Sequence, residues 1–296
     1  MAVKGLFWLR WCITVISLLG FCYSVLAQDL DQIKSKGVLR HLGVPYANFI
    51  SGAGDGMDVE LMQDFAAHLG VRYQFVRTDW GQIIGDLIGK GVKAVGDEVE
   101  IGGEVPIRGD VIATGMTRIP WREKVVAFGN PSFPTQVWLV SRADALVSPI
   151  KPSGQLEQDI LATKSVLSAR SLLGKLDTCL DPALYNMEAT GARISLFRGT
   201  LNELAPAVIN KESEFTLLDV PDALVALQKW PGQIKIIGPV SEAQSMAPAF
   251  RPDSSRLREA FNAFLAQRRA DGRFQHLVTK YYPFVSGYFP EFLASN

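Results

Sequence analysis

The chain has 296 residues, 48% hydrophobic and 20% charged, with 30 basic and 30 acidic side chains and a formal net charge of zero. That composition suits a globular protein and excludes a disordered one. No basic stripe runs through the sequence, which excludes nucleic acid as an expected partner.

The first 27 residues read as an export signal. Lys4 and Arg10 give a positive start, Trp11 to Leu26 is apolar, and Val25-Leu26-Ala27 offers a small-x-small cleavage site before Gln28. The alternative, an uncleaved anchor, asks for about 20 apolar residues, more than this stretch supplies. Cleavage would also remove Cys12 and Cys22. Cys179 would then stand alone, without an intrachain disulfide, and is expected to be buried and inert.

Gly37 to Val44 predicts a strand, and Met57 to Leu69 a helix. In that helix Met62, Phe65, Ala66 and Leu69 form one apolar stripe, ended by Gly70. Val71 to Val76 alternates as a strand does, and Gly81 to Ile88 predicts a second helix. Strand, helix, strand, helix implies a parallel α/β layer. Residues 91–109 break the rhythm. Gly102-Gly103, between Val99 and Ile101 on one side and Val105 and Ile107 on the other, predicts the turn of an inserted hairpin. Its acids (Asp97, Glu98, Glu100, Glu104) form either a solvated face or a partner surface.

Further strands are expected at Asp110–Thr114, Val137–Ser141, Lys164–Ser168, Phe215–Leu218 and Ile234–Gly238. Asp253-Ser254 can cap a helix whose stripe is Leu257, Ala260, Phe261, Phe264 and Leu265, ended by Gly272. The aromatic tail, Tyr281 to Phe292, is expected to pack on a lobe surface. His41, His68 and His276 lack metal-ligand spacing. No nucleophile elbow, phosphate loop or dinucleotide fingerprint occurs, so no catalytic residue, metal or cofactor is assigned.

Six ordered segments carry a resemblance: IKSKGVLRHLGVPYANF, GDGMDVELMQDFAAHLG, TDWGQIIGDLIGK, GMTRIPWREKVVAF, LLDVPDAL and RADGRFQHLVTKYYP. From about Leu30 to Pro283 the chain resembles the family 3 extracellular solute-binding proteins, the amino-acid-binding partners of ABC importers. The resemblance implies an α/β, type II periplasmic-binding-protein fold: two lobes joined by two crossover strands, with a ligand cleft between them. Lobe 1 would combine residues 28–134 and 247–296, and lobe 2 would be 135–246. The crossovers would fall near Ser132–Trp138 and Glu242–Pro248. The protein would be a periplasmic monomer that hands its ligand to an ABC permease without catalysis.

The same resemblance assigns site residues. Arg122 would grip the ligand carboxylate, a task for which a guanidinium fork is well shaped. Thr117 would add a polar contact, and Gly115 would let the backbone approach closely. Asp219 would pair with a ligand ammonium, although it could equally be the N-cap of the following helix. Tyr46 and Trp80 would flank the ligand side chain. Two departures stand out. Ile119 occupies a position that is often Thr or Ser, and VLSARSLLGK lacks the usual Gly-Ser or Gly-Thr turn, for which Ser171 could substitute. Arg170 could add a second anionic contact or be a surface residue. Two other functions fit the same scaffold: a ligand-sensing regulatory module for a signalling or cell-wall partner, and a dehydratase-type enzyme.

Overall fold

A computed structural model describes residues 28–294; the export-signal reading of residues 1–27 lies outside them. Fourteen strands are labelled in chain order: β1 (Val38–Gly43), β2 (Arg72–Arg77), β3 (Lys90–Val95), β4 (Glu98–Glu104), β5 (Val111–Ile112), β6 (Ala127–Phe128), β7 (Phe133–Thr135), β8 (Val137–Arg142), β9 (Ser171–Gly174), β10 (Arg193–Leu196), β11 (Phe215–Asp219), β12 (Ile234–Pro239), β13 (Gln244–Met246) and β14 (Ala249–Phe250). Ten of them form two five-stranded mixed sheets, one per lobe, in an α/β architecture. The first has the order β2-β1-β5-β14-β6, the second β10-β9-β11-β8-β12. In the first, β1 runs parallel to β2 and β5. In the second, β9 runs parallel to β10 and β11, while β8 is antiparallel to β11 and β12. Between the two sheets, β7 and β13 pair as a two-stranded antiparallel ribbon, Phe133 opposite Met246.

The apolar stripe of Met57–Leu69 becomes a buried helix face with Met62, Phe65 and Ala66 inward. The face packs against Phe261 and Phe264 of the helix Ser255–Ala270. That second helix starts at Ser254, but the Ser254 side chain makes no capping bond. Instead Asp29, from the helix Gln28–Lys36, accepts the Leu257 N–H at 3.0 Å. An acid imported from another element thus satisfies a free first-turn donor.

Two other expectations are corrected. The segment Lys164–Ser168 is not a strand: Leu156–Ser165 is helical, and the strand is Ser171–Gly174, starting seven residues later than expected. Short apolar runs such as Ser165 to Leu167 carry no period that separates helix from strand. The inserted hairpin exists as β3–β4, but it turns at Gly96-Asp97, with Val95 opposite Glu98. Gly96 has φ +61, which the first position of a tight two-residue hairpin loop requires. Gly102 and Gly103 instead lie within β4, and a Cβ added to Gly102 would sit 3.6 Å from the Gly91 backbone across the pair. The aromatic tail folds into the helices Val285–Tyr288 and Pro290–Ala294. It seats the Tyr288 ring 5.6 Å from Trp138 of β8 and the Phe292 ring 5.6 Å from Phe133 of β7.

Candidate functional site

The motif after β5 delivers the first candidate. Ile119 lies at the N-cap, and Pro120 opens the short helix Pro120–Glu123. The fixed φ of proline suits a first helical turn. The turn carries Trp121 and Arg122 inward, leaving Arg122 1% exposed. Its Nη1 donates to the Thr117 carbonyl at 3.1 Å. The guanidinium carbon stands 5.5 Å from the Trp80 ring and 5.2 Å from the Trp121 ring. Nε has no hydrogen-bond partner among the described residues. Burial depresses the Arg122 pKa, while the Cys179, Tyr185, Tyr46 and Asp219 side chains act in the opposite sense. A buried cation with an idle donor is costly unless an anion meets it.

Asp219 approaches from the other lobe. It ends β11 and caps the helix Val220–Lys229, its Oδ1 accepting the Asp222 N–H at 3.2 Å. The N-cap role and a place at the lobe junction therefore coincide. The Tyr46 hydroxyl, from the segment after β1, donates to the same Oδ1 across the junction. The Cys179 thiol donates to Oδ2 at 3.5 Å. Burial pushes the Asp219 carboxyl up to about 6, although its donors and Arg122 hold it down in part. Asp222 is buried beside it and is raised well above the usual range by burial and by Asp219.

Trp80 forms a wall, its ring edge-on to Tyr46 at 5.8 Å. Thr117 is buried, bridges to Met246 of β13, and keeps an unpartnered Oγ1. Gly115 lies close by, and its lack of a side chain makes room for Phe49. At φ +60 an added Cβ would lie 2.4 Å from the Phe49 ring, and the Gly115 N–H is taken by Asp58 at 2.7 Å. Burial pushes Asp58 up to about 7.

Ser171 is not brought to this group. It opens β9, whereas Asp219 closes the neighbouring parallel strand, so the two occupy opposite ends of the sheet. Its hydroxyl accepts the Glu214 N–H at 2.8 Å. Arg170 lies at that same far end, 3.8 Å from Glu214 and over the Phe215 ring. The segment that does reach the junction is Lys175 to Cys179, after β9, together with Tyr185, whose hydroxyl donates to the Cys179 carbonyl at 2.6 Å. From the sequence, no site role was expected of these residues. The available signal was position, because ligands of open α/β sheets gather at the carboxyl ends of parallel strands. Cys179 is buried as expected, its thiol pushed up to about 12 by burial.

A cavity of about 540 Å³ opens beside Trp80. It lies between Val44, Pro45 and residues 77–81 at the ends of β1 and β2, and residues 175–177, 198–201 and 203 after β9 and β10. Asn202, at this edge, accepts the Ala47 N–H at 2.9 Å and adds a second contact across the junction. Among the described residues no group of His, Cys, Asp and Glu could hold a metal ion. No described helix is long and apolar enough to cross a membrane.

Comparison with known proteins gives the family and the fold. Residues 107–284 match the bacterial extracellular solute-binding proteins, family 3. A mutant of ArgBP from T. maritima superposes with a TM-score of 0.68 at 23% identity, over 86% of this chain and 99% of that one. An ancestral amino acid-binding protein, a precursor of cyclohexadienyl dehydratase, superposes with a TM-score of 0.66 at 22% identity, over 86% and 98%. At such identities these likenesses establish the fold. Among curated proteins, the membrane-bound lytic murein transglycosylase F of Desulfosudis oleivorans is 26% identical over 234 residues. That stretch is 78% of this chain but only 44% of the transglycosylase.

Proposed function

Because the chain belongs to the bacterial extracellular solute-binding proteins, family 3, we propose that it captures a small carboxylate-bearing, amino-acid-like ligand in the periplasm and passes it to an ABC permease. The lobes divide at 28–134 with 247–296, and 135–246. The observation that carries the reading is Arg122: a guanidinium 1% exposed, without an ion pair among the described residues, with Nε idle and aromatic rings on two sides. A ligand carboxylate supplies the missing anion through two parallel hydrogen bonds. Thr117 Oγ1, also unpartnered, adds a donor. Asp219 faces the ligand ammonium from the second lobe, exchanging its Tyr46 contact for the ligand's charge. Tyr46 and Trp80 flank the ligand side chain. These roles require no catalytic group, metal or cofactor.

The test is calorimetry on the purified full chain, with ligand recovered from the denatured protein and identified by mass spectrometry. Arg122→Ala weakens carboxylate binding roughly hundredfold, as loss of two charge-assisted hydrogen bonds implies. Arg122→Lys, which keeps the charge and loses the fork, falls between the two. Undiminished affinity in a folded Arg122→Ala protein refutes the anchor. The likeness to a lytic transglycosylase supports a second reading, in which the same clamp senses its ligand for a cell-wall enzyme. Transport of the identified ligand by cells lacking the protein separates the two: uptake persists only if the clamp is a sensor.

A further inference from the structure

The mouth cavity holds charges that the Arg122 site does not use. Arg77 ends β2 in the first sheet, and Lys175 and Arg198 follow β9 and β10 in the second. All three line one cavity, and none has an ion pair among the described residues. Lys175 Nζ makes a single long bond, 3.5 Å to the Phe197 carbonyl. Three acids line it as well, and Lys175 acts electrostatically on one of them, Glu203. Asp79 accepts the Gln82 N–H at 3.0 Å, and Glu203 accepts the Thr200 N–H and hydroxyl at 2.6 and 2.8 Å. Asp177 is the remaining acid. Trp80 is common to both places, since its ring faces Arg122 and also lines the cavity. A chain of methylenes lying along that indole would run from one cation site to the other.

We propose that this cavity is a second anion subsite of the same cleft, where Arg77, Lys175 and Arg198 hold a carboxylate at the far end of a ligand whose α-amino acid group sits at Arg122 and Asp219. The inference rests on the reading of Arg122 given above and narrows its substrate class to α-amino acids with a distal anionic group. Cations from both lobes converge on that group, so it also bridges the lobes when they close. A distal amide offers the same shape without the charge, and charge-assisted hydrogen bonds are about twice as strong as neutral ones.

The experiment is calorimetry on the full chain with L-glutamate and L-2-aminoadipate, each against its ω-amide. At least one acid is expected to bind about tenfold tighter than its amide, the value of one to two charge-assisted hydrogen bonds. In the Arg77→Met, Lys175→Met, Arg198→Met triple variant that preference collapses to about threefold or less, with the melting temperature recorded as the fold control. Equal affinity for acid and amide, with both lost in Arg122→Ala, overturns the distal subsite and leaves the Arg122 anchor standing. A preference that survives in the triple variant overturns it too. Binding of all probes undiminished in Arg122→Ala overturns the anchor and, with it, this inference. No binding of any of the four at millimolar concentration also overturns it.

Discussion

Three buried acids, Asp58, Asp219 and Asp222, are raised chiefly by burial. Each holds a proton in the native state over a pH range where the unfolded chain, with carboxyls near 3.9, has released it. For Asp58 that range runs from about 7 down to about 4. Stability therefore rises as pH falls through 7, because the cost of a desolvated charge is removed. His41 acts in the opposite direction. Burial lowers it to about 4, so below about 6.5 the unfolded imidazole charges while the native one stays neutral. The acids outweigh His41 only at about pH 6.5 to 7.5, where Asp58 is still titrating and the unfolded imidazole is losing its charge. Asp58→Asn keeps an acceptor for the Gly115 N–H and is expected to reduce the slope of melting temperature against pH across that interval. An unchanged slope would place the titrating group elsewhere.

At the scale of elements, the position of a residue along its strand decides whether it can meet the ligand. In the second sheet β9 and β11 are parallel, so Lys175 and Asp219 leave at the same edge, and Ser171 enters at the other. Ser171→Ala should therefore leave ligand affinity unchanged while lowering stability by about 1 kcal/mol, the usual value of one hydrogen bond, here to the Glu214 N–H. Calorimetry and urea unfolding on the same preparation check both halves. The inserted hairpin β3–β4 pairs only with itself. Glu98 reaches out of it to Lys124 at 2.6 Å, so one of its acids is an intramolecular partner and not simply solvated surface.

At the scale of the whole molecule, hydrogen bonds from Tyr46 to Asp219 and from the Ala47 N–H to Asn202 join the lobes at the cleft. The ribbon β7–β13 lies behind them, its Phe133 packed among Phe49, Tyr282 and Phe292. The aromatic tail thus spans the ribbon and β8, where Tyr288 meets Trp138. Opening the cleft has to bend a ribbon clad in rings. Tyr46→Phe removes a bond to a charged acceptor, so the closed population should fall about tenfold relative to the open one. Small-angle scattering of the ligand-free protein should then show a larger radius of gyration, and stopped-flow a faster ligand release. Identical scattering curves would mean that Tyr46 does not latch the lobes.

The amino-acid sequence alone determined the α/β class, the amphipathic helix Met57–Leu69, and the strands β8, β11 and β12 to within a residue or two. Each depends on local physics: apolar periodicity, strand alternation and glycine stops. The two-lobed clamp was implied by the family resemblance that the six motifs carry, not by local pattern. Tertiary structure alone decided which end of β9 faces the junction, that Asp29 caps a helix more than two hundred residues away, and that Gly115 exists for Phe49. It also brought Cys179, Tyr185 and the mouth cations Arg77, Lys175 and Arg198 into range. No local pattern encodes such neighbours, because parallel pairing and lobe closure juxtapose residues whose separation along the chain carries no signal.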